Sequence, residues 1–319
     1  MSDQQHQQSR IRLVTCNFER NGGGDRERWE RMHALLASLD ADLLLRQEMK
    51  GCEDPATGLW QASKDALGMD GVLAPHLGAT AVYWRPDVFE LSPADTDATW
   101  AGIQHWPAWW LHPAAVTLRL CDAPRAVDVV AASLHLAFDS VSLREAEVEM
   151  ATRFGDRRLA GWASPLPSFV GGDFNSFPAR RGCVRGEVRL PRPRSITDLR
   201  HLVHRSRPTF LGWRRMDSYP DKTLTKAGFA DAARHFGRSA KGHARRLAIE
   251  PTAPTLPYAR ADQGPARRID RIYLIKALAP AITRAVVIDP QSLSDHRIVL
   301  VDLDRAAFIS LYDRYILAA

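Results

Sequence analysis

The sequence predicts an α/β (α+β) protein in which β-sheets pack beneath outer helices. Three observations carry this. Short apolar or alternating runs recur along the chain, each bounded by turn residues. Only two or three stretches carry helical periodicity. The regular β-α alternation of a parallel barrel is missing.

Residues 1–9 are polar and Gln-rich and read as a disordered tail. Ile11, Leu13 and Thr15 alternate with Arg12 and Val14, a strand running into Cys16-Asn17-Phe18. Gly22-Gly23-Gly24 lacks the spacing and flanks of a phosphate loop and reads as a flexible turn. Trp29, Met32, Leu36 and Leu39 then step as one face of a helix. Leu43-Leu44-Leu45 starts a short buried strand that ends at Gln47-Glu48. Strands are expected over 80–84, 114–120 and 126–133, punctuated by Arg85-Pro86-Asp87 and Asp122-Ala123-Pro124. A second helix is expected from Ser142 as N-cap, with Glu145 as capping-box partner and Leu143, Ala146, Met150 and Phe154 as its apolar face. A strand over 168–172 leads into Asp173. Residues 180–264 read as basic and loop-rich. Strands over 269–275 and 298–303 and a terminal helix from Ala306 complete the chain. With no internal repeat and no clear linker, one catalytic domain over 10–319 is expected.

The 319 residues are 45% hydrophobic and 25% charged, which excludes a disordered, collagen-like or coiled-coil chain. Cys16, Cys52, Cys121 and Cys183 form no CxxC pair, so free thiols are expected rather than a zinc cluster or disulfide scaffold. No signal-type apolar region and no membrane-length run is present, so a cytoplasmic protein without membrane insertion is expected, with a monomer favoured. Lys+Arg 43 against Asp+Glu 37 gives +6, a mild bias toward an acidic partner such as nucleic acid.

The chemistry lies at predicted strand ends. Asn17, Glu48, His135, Asp173, Asn175, Asp270 and the pair Asp295-His296 each start or end a strand or follow one closely, where a rigid scaffold can aim them into a shared cleft. Any one of them is an ordinary turn former. Together they need a joint explanation. Glu48, Asp173 and Asp295, with Asn17 and Asn175, offer the oxygen-rich set that Mg²⁺ or Mn²⁺ prefers. His135 and His296 suit phosphate or a leaving group better than a hard cation, and Asp270 could fix a histidine tautomer. Such a set makes a phosphodiester hydrolysis site.

Six motifs in order extend this: Thr15-Cys16-Asn17, Leu45-Arg46-Gln47-Glu48, Ser133-Leu134-His135-Leu136, Gly172-Asp173-Phe174-Asn175, Arg268-Ile269-Asp270-Arg271-Ile272 and Ser294-Asp295-His296. The series resembles the endonuclease/exonuclease/phosphatase superfamily over residues 11–303. The resemblance implies a four-layered α/β sandwich, two mixed β-sheets face to face with outer helices. It implies a catalytic Mg²⁺ on Glu48, assisted by Asn17 and Asp295. It implies that Asp173 orients or deprotonates the attacking water and that Asn175 bonds the phosphoryl group or that water. His296, polarised by Asp270, would stabilise the transition state, and His135 would contact the scissile phosphate or help the leaving group. Two positions depart from the usual pattern: Cys16 replaces a tryptophan, and Arg271 replaces a tyrosine. The Asp-Arg-Ile form resembles that of the superfamily's tyrosyl-DNA phosphodiesterases, which usually lack the phenylalanine of Gly-Asp-Phe-Asn, so their substrate is not carried over.

For substrate, Arg180, Arg181, Arg185, Arg189, Arg192 and Arg194 face one acid, Glu187, and Arg234, Arg238, Lys241, Arg245 and Arg246 face none. A basic rim suits a polyanionic backbone, so Arg180, Arg181 and Arg271 are expected to bind substrate, with DNA the leading partner. The other reading of these clusters is a solvated surface. Trp100, Trp106, Trp109 and Trp110 form either a packed loop or an aromatic wall for bases. The leading function is a Mg²⁺-dependent nuclease. The alternative is a phosphatase or phosphodiesterase on an inositol phosphate or sphingomyelin-like lipid, for which an apolar membrane loop would be the sign.

Overall fold

The computed structural model describes residues 9–93, 103–159 and 164–317. Most of the expected tail and Trp100 lie outside them. The chain runs β1 (Arg10–Asn17), α1 (Arg26–Ser38), β2 (Leu43–Gln47), α2 (Leu59–Leu67), β3 (Asp70–Leu73), β4 (Thr80–Trp84), β5 (Phe89–Leu91), β6 (Ala114–Leu120), β7 (Asp128–His135), α3 (Val141–Ala151) and β8 (Ser168–Asp173). Then come α4 (Leu199–Arg205), β9 (Ser206–Pro208), β10 (Arg214–Met216), α5 (Tyr219–Lys226), β11 (Phe229–Asp231), α6 (Ala232–Ser239) and α7 (Gly242–Ala248). Last are β12 (Asp270–Ile275), β13 (Ile282–Ile288), β14 (Ile298–Asp304) and α8 (Arg305–Leu317).

Two six-stranded mixed sheets result. The first has the order β13-β14-β1-β2-β4-β3, the second β11-β12-β8-β7-β6-β5. Each has a parallel pair near its centre, β1 with β2 and β7 with β8, flanked by antiparallel neighbours. Side chains alternate between two buried faces, so the central strands are apolar on both sides. Leu13 and Leu45 point to the core between the sheets, where Ala131, Phe169 and Ile272 meet them. Val14 and Leu44 point the other way, onto Trp29, Met32 and Leu36 of α1. Val130 and Val170 pack against Val148 and Ala151 of α3. Helix, sheet, sheet and helix thus form the four expected layers.

Polar bonds lock the sheets below one end of the parallel pairs. Gln47 Nε2 donates to Ser133 Oγ at 2.9 Å, and that hydroxyl donates to the Arg46 carbonyl at 2.8 Å. Gly172 makes the approach of β8 to β7 possible. Its φ is +145°, and a Cβ there would stand 1.9 Å from the Leu134 carbonyl oxygen.

Several expectations need correction. The N-cap of α3 is Ser140, whose side chain accepts from Leu143 N, not Ser142. Its buried face is Arg144, Glu147, Val148 and Ala151; of the expected apolar set, Phe154 is buried just past the helix end and Met150 packs partly buried, whereas Ala146 is exposed. Arg144 is paired with Asp217 at 2.9 Å and donates to the Ala137 and His204 carbonyls, each at 2.6 Å. Glu147 accepts from Ala137 N and Trp110 N at 2.7 and 2.9 Å, and burial pushes its carboxyl up to about 7. The 180–264 segment is not loop alone. It holds α4 to α7, and His201, His204, His235 and His243 stand on these helices. Arg234 is not a rim cation: it is buried against Glu187 and Asp221. All four cysteines are free. His33 is a core histidine stacked on Trp29 at 3.7 Å, its pKa lowered by burial to about 3.

Gly172→Ala forces a side chain into a backbone carbonyl, so it should destabilise by about 3 kcal/mol or more. Urea unfolding within about 0.5 kcal/mol of wild type would contradict this close approach.

Candidate active site

The parallel pairs of both sheets deliver their C-terminal ends to the same place. Asn17 ends β1 and Glu48 follows β2; His135 ends β7 and Asp173 ends β8. In register, Asn17 faces Gln47, His135 faces Asp173, and Asp173 faces Asp270 across the β8–β12 ladder. Asp295-His296 arrives from the turn before β14. Ser294 ties this turn to β1: its Oγ donates to the Asn17 carbonyl at 2.9 Å and accepts from His296 N at 3.2 Å. Glu48 (φ 59°) and Asn175 (φ 47°) both hold left-handed backbone angles, a strain that aims their side chains and clusters at working sites.

Asp173 is the hub, 2% exposed. Its Oδ2 accepts from Asn17 Nδ2 at 3.2 Å and lies 3.6 Å from His135 Nε2 and 3.9 Å from His296 Nε2. Its Oδ1 accepts from Asn175 N at 2.8 Å. Burial opposes its ionisation, but His296, His135, Arg205 and that N–H together carry its pKa below the usual carboxylate value. Asp270 grips His296 Nδ1 at 2.9 and 3.0 Å, with Ile269 N and Asp270 N both donating to Thr252 Oγ1. Burial disfavours the imidazolium, yet Asp270, Asp173 and Asp295 outweigh it and raise His296 to about 10. His296 Nε2 also lies 3.9 Å from Asp295 Oδ2. Asp173, Asp270 and His296 have ligand atoms within 4.8 Å of one another, an acidic and imidazole cluster.

The amide of Asn175 is largely committed. Its Nδ2 donates to the Leu136 carbonyl at 2.9 Å, and its Oδ1 accepts from Arg205 Nη1 at 2.7 Å. Arg205 was not legible in the sequence; it is one basic residue among many, brought here by the Arg144 bond to the neighbouring His204 carbonyl.

On the opposite wall, Glu48 Oε2 accepts from Arg20 N at 2.6 Å. Asn17 Oδ1 is buried and has no donor among the described residues. Burial, with Glu48, Glu19 and Asp173 nearby, raises the Asp295 carboxyl despite His296. An orphaned amide oxygen beside crowded carboxylates is a donor set that a hard divalent cation satisfies. Asn17, Glu48 and Asp295 fit that ion.

Glu48, His135, Asp173, Asn175 and His296 line a cleft of about 520 Å³. Arg20 and Lys50 line one side; Leu77, Trp110, Leu111 and Phe138 form an apolar wall. Of the tryptophan stretch, Trp110 lines the cleft, whereas Trp109 is buried with its indole N–H on the Ile103 carbonyl and Trp106 lies near Arg153. Arg180 and Arg181 are exposed outside this cleft lining. Arg271 is not brought to the cleft. It is 0% exposed, donates to Ser176 O and Oγ, and lies 4.8 Å from the Phe174 ring centre. Its side chain supports the Asp173–Asn175 turn from behind.

No family model matches the chain, and no curated protein matches it by sequence. Solved structures do match in three dimensions. An endonuclease/exonuclease/phosphatase protein of Bacteroides vulgatus superposes with a TM-score of 0.58 at 15% identity, over 92% of this chain and 98% of that one. D. rerio TDP2 humanized by 14 mutations gives 0.56 at 13% identity, over 92% and 98%. D. rerio TDP2 complexed with a single strand DNA product gives 0.52 at 12% identity, again over 92% and 98%. This chain shares the fold of these solved structures. Within that fold, the six sequence motifs meet at one end of the two sheets. No described helix is long and apolar enough to cross a membrane.

The imidazolium of His296 contributes stability that is complete below its ordinary value near 6.5 and is lost as pH rises through about 10. Asp270→Asn should drop its titration midpoint toward 6.5, read from histidine ring signals by NMR without added metal. A midpoint that stays near 10 would show that Asp270 does not hold the charge.

Proposed function

We propose that the chain is a divalent-metal-dependent phosphodiester hydrolase acting on nucleic acid, with DNA as the preferred substrate. One observation carries the reading: two imidazole Nε2 atoms approach one ionised carboxylate oxygen at 3.6 and 3.9 Å, opposite an acidic wall with an orphaned amide oxygen. Paired imidazoles suit phosphoryl oxygens, and the acidic wall suits a cation. The DNA preference is supported by fold likeness to a TDP2 complexed with single strand DNA product and by Arg20, Lys50 and Arg205 around the floor.

Glu48, Asn17 and Asp295 would hold Mg²⁺, for which Mn²⁺ can substitute. When bound, that ion neutralises charge on the phosphoryl oxygens. Asp173, kept ionised, accepts a hydrogen bond from water and orients it for in-line attack. His296 donates from Nε2 to a phosphoryl oxygen while Asp270 holds Nδ1, so positive charge meets the charge that builds in the transition state. His135 donates to the scissile phosphate or the departing oxygen. Asn175 has one N–H left for the phosphoryl group or the water, and Arg205 fixes its orientation. Arg180 and Arg181, exposed beyond the Asp173–Asn175 turn, would take more distant backbone phosphates.

Plasmid, single-stranded DNA, abasic duplex, RNA and inositol phosphates should be compared with Mg²⁺ and with EDTA. Nucleic acid should be cut only with the metal. Cleavage of a small phosphoester with all nucleic acids untouched would overturn the nuclease reading. Glu48→Ala and His296→Ala should each lower kcat by about 10³-fold or more in the folded protein, Glu48→Ala with an unfolding curve near wild type and His296→Ala with a less stable one. Near-normal turnover in either would remove its role.

A second reading, a lipid phosphoester substrate, is favoured by one feature. At the tip of the β9–β10 hairpin, Phe210 is 96%, Leu211 66% and Trp213 74% exposed, with Arg207, Arg214 and Arg215 on its strands. On the nuclease reading these rings stack on unpaired bases, so Phe210→Ser with Trp213→Ser weakens single-stranded DNA binding about tenfold. On the lipid reading the same change abolishes binding to phosphatidylserine vesicles and spares DNA.

A further inference from the structure

A second pocket of about 210 Å³ opens on the other side of His296. Arg205, Arg267, His201, Tyr258, Gln263 and Gly264 line it, and Asp295 and His296 form the wall it shares with the catalytic centre. Arg267 is unusual. It is 5% exposed, yet no acid pairs with it among the described residues. Its Nη1 donates to the carbonyls of Pro265 and Ala266, while Nε and Nη2 are buried with no acceptor. Burial alone lowers its pKa to about 10.

Three other buried arginines have acid partners. Arg144 has Asp217, Arg234 has Glu187 and Asp221, and Arg268 has Glu187 and Asp231. Arg46 and Arg271 lack a salt bridge, but each is fully enclosed and lines neither pocket. Arg267 is the buried guanidinium that meets a cavity with its charge uncompensated. The second cation, Arg205, commits Nη1 to Asn175, and burial with Arg144 nearby lowers it to about 10. Burial and Arg205 hold His201 near 4, so it is a neutral partner here. Gly264, held at φ 78°, lies beside the guanidinium, where a Cβ would stand in ordinary contact at 3.6 Å from Arg267 Nη2. Two guanidiniums, one without a counter-charge, and neutral donors around a small cavity make an anion receptor, for which a tetrahedral phosphate is the best match.

We propose that this pocket is a phosphate subsite, which takes a second phosphate of the substrate beside His296. The substrate role rests on the hydrolase reading given above; the anion site does not. Substrates would then be phosphoesters that carry another phosphate next to the scissile one. Either a backbone phosphate or a terminal phosphomonoester supplies that chemistry.

Inorganic phosphate is the probe, titrated calorimetrically into the full chain with EDTA present. Wild type should bind it saturably. Arg267→Met, which removes charge at similar volume, should weaken binding about tenfold or more, and Arg267→Lys should recover part of it. Arg267→Gln carries the same expectation if the methionine variant does not fold. Lys50→Ala alters only the main cleft and should leave phosphate binding intact. Displacement by an unphosphorylated oligonucleotide assigns the pocket to a backbone phosphate; displacement that needs a phosphorylated end assigns it to a phosphomonoester. No saturable binding, equal binding by folded Arg267→Met or Arg267→Gln, or loss in Lys50→Ala overturns the anion site. Displacement by neither oligonucleotide overturns its substrate role. None of these readouts requires turnover, so an inactive protein would sink the hydrolase reading and still answer this one.

Discussion

An ionised carboxylate closed between two sheets governs how the rest of this molecule must be built. Asp173 is nearly inaccessible to water, and an unpartnered charge there would cost several kcal/mol. Its partners come from β1 (Asn17), from β7 (His135), from the turn after β8 (Asn175 N) and from the turn before β14 (His296). Satisfying one charge therefore fixes four segments from both sheets at one end of the fold. The Gln47–Ser133 bond repeats the tie one layer deeper. Gly172 lets β8 come close enough to β7 for His135 and Asp173 to share a level.

The same demand explains what was legible in the sequence. A buried strand is an apolar run, and where a site residue must follow it the run stops at a carboxylate, amide or imidazole. Leu43-Leu44-Leu45 before Glu48 and Ile298 to Leu303 after Asp295-His296 announce themselves this way. The carboxylates, amides and imidazoles that meet at the strand ends were visible, because each is chemically out of place beside its own strand; Arg205 was not. Two substrate assignments fared differently. Arg271 is absorbed behind the floor by Ser176 and Phe174, and Arg180 and Arg181 stand outside the main cleft lining.

What was hidden depends on partners far along the chain. The inward face of α3 carries Arg144 and Glu147, and apolar periodicity cannot find a helix side whose burial is compensated by Asp217, 73 residues away. The helices of the 180–264 segment are seven or eight residues long, too short for a periodic signal; Asp198 and Asp231 cap two of them by accepting from backbone N–H groups. β13 begins with exposed residues at a sheet edge, and a register shift between Ile282 and Arg284 breaks its alternation. Arg234 and Arg268 converge on Glu187, the one acid in the first basic cluster, so a charge count along the segment takes a buried network for surface.

Net charge is therefore a poor guide to the field an anion meets. The main cleft presents Glu48 and Asp173 beside His296, Asp270 is buried behind that imidazole, and Asp295 and Arg205 face the second pocket on its other side. Burial raises Asp295 further because its neighbours Glu48, Glu19 and Asp173 are acids. An anionic phosphoester approaching that floor is repelled from one wall and attracted by the other. If Glu48, Asn17 and Asp295 hold a divalent cation, as proposed, its charge would offset that repulsion. On the proposed reading, cation and substrate affinities must be coupled, each improving the other by the same factor. The imidazolium side needs no such help, because Asp270 already holds His296 charged at neutral pH. The division of labour follows from the strand ends: β1, the end of β2 and the turn before β14 bring Asn17, Glu48, Asp295 and His296, while β7, β8 and β12 bring His135, Asp173 and Asp270, and on the proposed reading the phosphoester fits between them.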